Sequence, residues 1–168
     1  MMLVYENNVP SDVRASFTAK VRTIAGQLGV EPDWLMGVMW VESRLRAAAR
    51  NATTGATGLI QFMPATAAAL GTTTDALRTM DAVAQLDYVL KYLKPYTGRM
   101  KSFYDTYFAV FFPAAIGKPD DWTLSAAGLS AAKIAAANSG FDVNRDGALT
   151  VGEIKERLPV IETAQKKK

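Results

Sequence analysis

Apolar side chains recur at steps of three and four residues through most of this chain, and this spacing limits the folds open to it. The clearest case is a predicted helix whose buried face carries Val13, Phe17, Val21, Ile24 and Leu28. Ser11 or Asp12 is placed to cap its start, and Gly29 to end it. A chain built on this period is expected to be helical.

The same period predicts further helices. One opens near Pro32, where the N–H that proline lacks would have no helical partner. Others are predicted over 64–70, from a cap at Asp81 to the residues before Pro95, over 102–112 and over 130–138. Strand signals are few, and no linker is long enough to divide the chain. We therefore predict a mainly α fold in a single domain over residues 1–168.

The amino-acid composition excludes several kinds of catalytic and metal-binding site. Apolar residues make up 49% of the chain and charged residues 21%, as in ordinary globular proteins. The sequence has no cysteine and no histidine, which excludes disulfides, thiolate metal sites and histidine catalysis. The net charge of +3 includes three terminal lysines at 166–168, which we interpret as a solvated tail. No nucleic-acid partner is predicted.

Glu42 is the most informative residue of the second helix. It continues an apolar stripe formed by Leu35, Val38 and Met39. One interpretation is that Glu42 lies at the edge of the stripe and pairs with Arg44, Arg46 or Arg50. The other is that burial raises its pKa and keeps it protonated for use as a general acid. Spacing leaves both open.

The residues that follow Glu42 carry a longer motif. Glu42-Ser43 is followed by Asn51, by Gly-Ala-Thr-Gly-Leu-Ile-Gln over 55–61, and by Met-Pro-Ala-Thr-Ala over 63–67. In order and spacing, this segment of about thirty residues resembles the signature of the soluble lytic transglycosylase (SLT) family. The resemblance implies a lysozyme-like fold and a substrate of peptidoglycan glycan strands.

The resemblance also implies a reaction. In this family one glutamate, here Glu42, protonates the glycosidic oxygen between MurNAc and GlcNAc and then removes a proton from the MurNAc 6-hydroxyl. A 1,6-anhydroMurNAc end results, so the protein would be a lyase. Two alternatives stay open: a lysozyme-type hydrolase on the same fold, and a non-catalytic calcium-dependent wall-binding or virion protein.

Further site residues follow from the resemblance. The predicted substrate-binding residues are Ser43, Gly58, Ile60, Gln61, Met63, Tyr107 and Phe111. Gly55 and Gly58 would let the backbone turn and approach a sugar chain, and Gln61 would face Glu42 across a groove. For Ile60 and Met63, plain core packing is the competing interpretation.

Two features depart from common glycosidase patterns. The family usually has an Ala-Tyr-Asn segment whose tyrosine reaches toward the glutamate, whereas Phe111 stands at that position here and has no hydroxyl. Tyr104 or Tyr107 is a possible substitute. Asp75, Asp81 and Asp87 are predicted to be helix caps and solvated charges rather than a second catalytic carboxylate.

An independent motif lies near the end of the chain. The segment 142–153, DVNRDGALTVGE, has the spacing of an EF-hand loop, with Gly147 at its turn. The predicted calcium ligands are Asp142, Asn144, Asp146, the carbonyl of Ala148, Thr150 and Glu153. Because a single loop has no partner hand with which to form a sensor, we expect structural Ca²⁺. A turn that holds no ion is the alternative.

The first ten residues lack the pattern of a secretory signal, and no window approaches a membrane span of about 20 apolar residues. Action on the cell wall, in the periplasm or outside the cell, would then need delivery by a phage particle, a holin or a secretion apparatus. A monomer is expected.

Overall fold

The computed structural model describes residues 1–162, so the predicted lysine tail at 166–168 lies outside the described residues. The Cα positions form two compact units, one containing Met1–Gly98 and the other Arg99–Val160. Within residues 1–162 the β-type pairing consists of four isolated bridges. The predicted mainly α fold is therefore confirmed, while the single domain over 1–168 stays a prediction.

Five helices belong to the first unit: α1 (Arg14–Leu28), α2 (Pro32–Ser43), α3 (Pro64–Ala69), α4 (Thr74–Thr79) and α5 (Ala82–Leu93). α1 packs against both α2 and α5. Phe17, Val21, Ile24 and Leu28 of the predicted apolar face are buried there. Burial of this face stabilises the helix at roughly 25 cal/mol per Å² of apolar surface removed from water.

The sequence predicted the end of α1 correctly but not the residue that caps its start. The helix ends at Gly29, which has a left-handed φ of 69°, as predicted. The predicted cap by Ser11 or Asp12 is wrong, because the N-cap is Val13 and no side chain bonds there. Ser11, Asp12 and Val13 form a turn before the first helical residue, Arg14, so neither polar side chain is at the capping position.

The start of α5 follows its prediction. Oδ1 of Asp81 accepts hydrogen bonds from the backbone N–H groups of Val83, at 2.7 Å, and Ala84, at 3.3 Å. The shorter α4 was not predicted, because six residues give too little periodicity to detect. Its cap is Thr73, whose hydroxyl accepts from the N–H of Ala76.

The second unit contains α6 (Phe103–Phe111), α7 (Ala131–Ala137) and α8 (Val151–Arg157). Ser102 and Ser130 cap the first two through their side chains. Thr150 and Glu153 form a capping box at the start of α8, where each side chain bonds the other residue's N–H. No helix within residues 1–162 is long and apolar enough to cross a membrane.

Loss of the Asp81 cap is expected to destabilise the protein measurably. Asp81→Ala should lower the free energy of unfolding by about 1 kcal/mol, because two helical N–H groups lose their acceptor. Asp87→Ala is the matched control on the same helix. Asp87 pairs with Lys20 at 3.0 Å but is 63% exposed, so its loss should cost at most about 0.5 kcal/mol. Urea denaturation measures both, and equal losses would contradict the capping role.

Candidate active site

Glu42 lies in the last turn of α2, as the apolar stripe predicted. Leu35, Val38 and Met39 of that stripe are buried, and Glu42 itself is partly buried. Burial withdraws its carboxyl group from water and raises its pKa from 4.5 to about 7. A carboxyl group with this pKa is about half protonated at neutral pH and can donate a proton there.

The ion-pair interpretation of Glu42 finds no support in the described residues. Arg50 pairs instead with Asp75 at 2.8 Å. The guanidinium of Arg44 lies 4.6 Å from the ring centroid of Trp40, and Nε of Arg46 donates to the carbonyl of Ser43. All three predicted arginine partners therefore have other contacts, which leaves desolvation as the dominant influence on Glu42.

The backbone after Glu42 is tightly turned. Arg44 and Leu45 both have left-handed φ angles, 54° and 60°. Their N–H groups bond back to the carbonyls of Trp40, at 2.9 Å, and Met39, at 3.2 Å, which close the helix end. Left-handed backbone is unfavourable for residues with a Cβ, so this turn must be stabilised by its surroundings, and the buried Leu45 side chain contributes to that.

A compact loop over 50–62 follows the turn. Oδ1 of Asn51 accepts from the N–H groups of Thr53, at 2.9 Å, and Thr54, at 3.0 Å. Thr57 and Phe62 exchange two backbone hydrogen bonds, at 3.0 and 2.8 Å. The predicted helix break is thus an ordered loop held by hydrogen bonds among its own residues and with neighbouring segments.

Gln61 occupies the tip of that two-bond exchange with a left-handed φ of 57°. Its side-chain Nε2 donates to the carbonyls of Ala49, at 3.1 Å, and Gly58, at 3.0 Å. The amide nitrogen is therefore engaged in holding the loop. That Gln61 faces Glu42 across a groove stays a prediction.

Gly58 is needed for a reason different from the expected one. It has a φ of +95°, and a Cβ placed on it would lie 2.6 Å from Oε1 of Gln85. The room left by the missing side chain is therefore filled by a buried amide rather than left for a sugar chain. At Gly55, with φ +76°, the nearest atom to a Cβ would be Cγ of Pro64 at 3.4 Å.

The remaining predicted residues of this segment differ in exposure. Ser43 is buried, and its hydroxyl donates to the carbonyls of Met39, at 3.1 Å, and Leu59, at 2.9 Å. Ile60 is 3% exposed and packs in the core, which was the competing interpretation for it. Met63 is 46% exposed and offers an apolar surface to a ligand.

Tyr92 lies within electrostatic reach of Glu42, which the sequence did not reveal. The charge of Glu42 is one of three influences on it: burial, Tyr96 and Glu42 together raise the pKa of the Tyr92 hydroxyl to about 12. Its ring packs edge-on against Phe62 of the loop, at 6.3 Å between centroids. Fifty residues of sequence separate it from Glu42, and no local pattern could have linked them.

Tyr107 and Phe111 belong to the second unit. Their rings stack at 5.6 Å between centroids, and Phe111 also contacts Phe141 at 5.4 Å. Tyr107 is buried. Tyr104, the other tyrosine considered as a substitute for the missing hydroxyl, lies under the ammonium of Lys155 at 5.0 Å. The substrate-binding role of Tyr107 and Phe111 stays a prediction.

The three aspartates considered as second carboxylates have structural partners. Asp75 pairs with Arg50, Asp81 caps α5, and Asp87 pairs with Lys20. Each carboxylate is used by a helix start or an ion pair, in agreement with the prediction from sequence.

Comparison with known protein families identifies the family of this chain. The family described as Transglycosylase SLT domain matches residues 20–115, a segment that includes Glu42 and the loop over 50–62. The chain belongs to this SLT family. Neither a curated protein nor a solved structure matches the chain. The predicted lysozyme-like, mainly α fold is consistent with this membership and is confirmed by it.

The predicted calcium loop lies outside the SLT match. Carboxylate oxygens of Asp142, Asp146 and Glu153 all lie within 4.8 Å of one another. Oδ2 of Asp142 accepts from the N–H of Gly147, at 3.0 Å, and Gly147 has the positive φ of 79° that the turn requires. Asn144 donates from Nδ2 to Oδ2 of Asp146 at 3.1 Å. The loop, whose last residues are the first turn of α8, thus brings carboxylate oxygens together.

The second half of the loop is anchored to the rest of its unit. Leu149 is fully buried, and its carbonyl accepts from the N–H of Leu124 at 2.8 Å. Glu153 is buried, and its carboxylate accepts from the N–H groups of Val143, at 2.9 Å, and Thr150, at 3.2 Å. One carboxylate therefore closes both ends of the loop.

Replacement of the acid in this SLT site is expected to stabilise the protein at alkaline pH. Because burial raises the pKa of Glu42 to about 7, the folded state loses stability as pH rises from 4.5 to 7 and keeps that loss above it. Glu42→Gln removes the ionisable group. We expect its free energy of unfolding to exceed that of the wild type by up to about 3 kcal/mol at pH 8 and to equal it at pH 4.

Urea denaturation at the two pH values provides the measurement. The matched control is Glu156→Gln, since Glu156 is an exposed glutamate on α8. The control should not show a comparable gain. A Glu42→Gln variant that is less stable than the wild type at pH 8 would show that the carboxylate is favourably paired rather than desolvated.

Proposed function

We propose that this protein is a peptidoglycan lytic transglycosylase that cleaves the MurNAc-β-1,4-GlcNAc bond and leaves 1,6-anhydroMurNAc ends. The observation that carries the proposal is the carboxyl group of Glu42, which burial keeps partly protonated at neutral pH within the SLT match. The family membership supports action on peptidoglycan. The desolvated acid supports general acid catalysis of glycosidic bond cleavage.

The proposed chemistry uses Glu42 twice. Its carboxyl proton passes to the glycosidic oxygen, the bond from that oxygen to C1 of MurNAc breaks, and the GlcNAc side leaves as an alcohol. The carboxylate then takes the proton of the MurNAc 6-hydroxyl, and O6 bonds to C1. No water is consumed, and Glu42 ends protonated, as it began. A pKa near 7 suits both roles, because the group is then available as acid and as base near neutral pH.

A single carboxyl group fits the surroundings of Glu42. Asp75, Asp81 and Asp87 have ion-pair or helix-cap partners, which supports structural rather than catalytic roles for them. Ordinary glycosidases need such a partner at about 5–10 Å from the acid. In the SLT family the N-acetyl group of the substrate is thought to stabilise the oxocarbenium-like state, which removes that need.

Tyr92 and Met63 complete the proposed site on the first unit. Because the pKa of the Tyr92 hydroxyl is about 12, it stays neutral near the ionising Glu42. Met63 offers exposed apolar surface for a sugar ring. The substrate implies that the protein works at the cell wall, while delivery by a phage particle, a holin or a secretion apparatus, and the monomeric state, stay predictions.

Digestion of purified peptidoglycan tests the proposed reaction. Wild-type protein should release muropeptides that end in 1,6-anhydroMurNAc, and Glu42→Gln should lower their rate of release at least about 100-fold, since it removes the transferable proton. Mass spectrometry separates anhydro ends from reducing ends by the mass of one water. Reducing ends from the wild type would instead indicate a hydrolase, and equal loss of turbidity with both proteins would contradict the role of Glu42.

We further propose that the loop over 142–153 binds a structural Ca²⁺ ion. The donor set supports this, because three carboxylates with oxygens within 4.8 Å and further carbonyl, amide and hydroxyl oxygens are the ligands that calcium prefers. Asp142, Asn144, Asp146, Ala148, Thr150 and Glu153 would hold the ion. Calcium would lower the repulsion among the carboxylates and fix the start of α8.

Removal of calcium should destabilise the protein if the loop binds it. Excess Ca²⁺ is expected to raise the melting temperature relative to EDTA, because an ion that binds the folded state alone shifts the unfolding equilibrium. Asp146→Asn is the matched variant. Its side-chain oxygen can still accept from the N–H of Ala148, while the charged ligand and the bond from Asn144 to Oδ2 are lost. Identical melting temperatures of the wild type in EDTA and in calcium would overturn the proposal.

A further inference from the structure

The backbone of Leu59 is held on both sides by side chains. Its N–H donates to Oε1 of Gln85 at 2.6 Å, and its carbonyl accepts from the hydroxyl of Ser43 at 2.9 Å. Ser43 directly follows Glu42 at the end of α2, and Gln85 belongs to the first turn of α5. The backbone of one loop residue therefore connects the helix end that carries the acid with a second helix.

Gln85 has no freedom to move within this arrangement. It is fully buried, at 0% exposure, and its Nε2 donates to the carbonyls of Ala47 and Leu77, each at 2.9 Å. A flipped amide would direct its NH₂ group at the N–H of Leu59 and its oxygen at two carbonyls. All three contacts would then become repulsive, so the hydrogen bonds fix a single orientation.

Gly58 adds a steric limit to the same contact. A Cβ at this residue would lie 2.6 Å from Oε1 of Gln85, closer than real Cβ contacts, and 3.0 and 3.1 Å from its Cδ and Nε2. The backbone of 58–59 and the amide of Gln85 are thus in direct contact over several atoms. A small shift of the Gln85 side chain would have to be accompanied by a shift of the loop.

We propose that Gln85 is a positioning residue, which acts through the N–H of Leu59 to hold the segment 58–61 in register with Glu42. This inference rests on the proposed function and names a residue without contact to the substrate. Segment 58–61 leads directly into the exposed Met63 and carries Gln61. Displacement of such groups by about 1 Å can lower a rate by up to about 100-fold.

Gln85→Glu tests the proposal with little change of shape. A protonated glutamic acid can accept from the N–H of Leu59 and donate to one carbonyl, whereas the ionised form would face the carbonyls of Ala47 and Leu77 without a proton to offer. Turnover of soluble glycan strands per folded molecule, as a ratio to wild type, should therefore fall about tenfold or more at pH 8 and recover toward pH 5. The loss should appear in kcat rather than in KM.

Two controls separate positioning from stability. Thr18→Val removes a buried hydroxyl that donates within α1 to the carbonyl of Arg14 at 2.9 Å, far along the chain from the loop. It should lower the melting temperature while kcat stays within twofold of the wild type. Ser43→Ala removes the other bond to the Leu59 backbone, so its effect on kcat should be non-additive with Gln85→Glu and additive with Thr18→Val.

A further readout does not depend on activity. Exchange of the Leu59 amide proton, measured by NMR, should be slow in the wild type and at least about tenfold faster in Gln85→Glu at pH 8, because its acceptor is displaced. The outcomes are distinguishable. Wild-type products without anhydro ends would count against the proposed function alone. A folded Gln85→Glu variant with wild-type kcat at pH 8 would overturn the positioning role.

Discussion

Withdrawal of one carboxyl group from water is the constraint on which the arrangement of the first unit depends. Glu42 can have a pKa near 7 only where apolar packing reaches the end of a helix and no cation compensates its charge. α2 provides the packing through its buried stripe, and the nearby arginines are directed to Trp40, Ser43 and Asp75. Because these contacts engage the three arginines elsewhere, they leave the carboxyl group of Glu42 without a compensating cation among them.

The same burial that adapts Glu42 for proton transfer lowers the stability of the folded state when the carboxyl group ionises. Ionisation of Glu42 in the folded state is unfavourable by the same free energy that keeps its proton available at neutral pH. Two consecutive left-handed residues, Arg44 and Leu45, follow directly and add backbone strain at the same helix end. Strained and desolvated groups commonly cluster at functional sites, and here both lie within four residues of each other. Hydrogen bonds within the adjoining loop over 50–62 offset part of this loss of stability.

Features set by residues close together in sequence could be predicted, whereas contacts between residues far apart in sequence could not. Helix periods, the Asp81 cap, the Gly29 end and the Glu42 position all follow from residues within about ten positions, and the structure agrees with them. The cap of α1 was missed because a turn of three residues shifted the helix start. Tyr92 and Gln85 were missed because their partners lie 26 to 50 residues away in sequence and become neighbours only through the packing of α5. The resemblance identified the loop, but it could not tell which atoms its glycines accommodate.

The contact between Gly58 and Gln85 has a consequence for how such a site can change over time. A Cβ at residue 58 would overlap the Gln85 amide, so a larger residue at 58 requires a shorter side chain at 85. That shorter side chain could no longer reach the N–H of Leu59 and the carbonyls of Ala47 and Leu77. Substitution at either position alone therefore passes through a poorly packed intermediate. The two positions should be inherited as a pair, and covariation between them among relatives would mark chains that keep this loop in the same place.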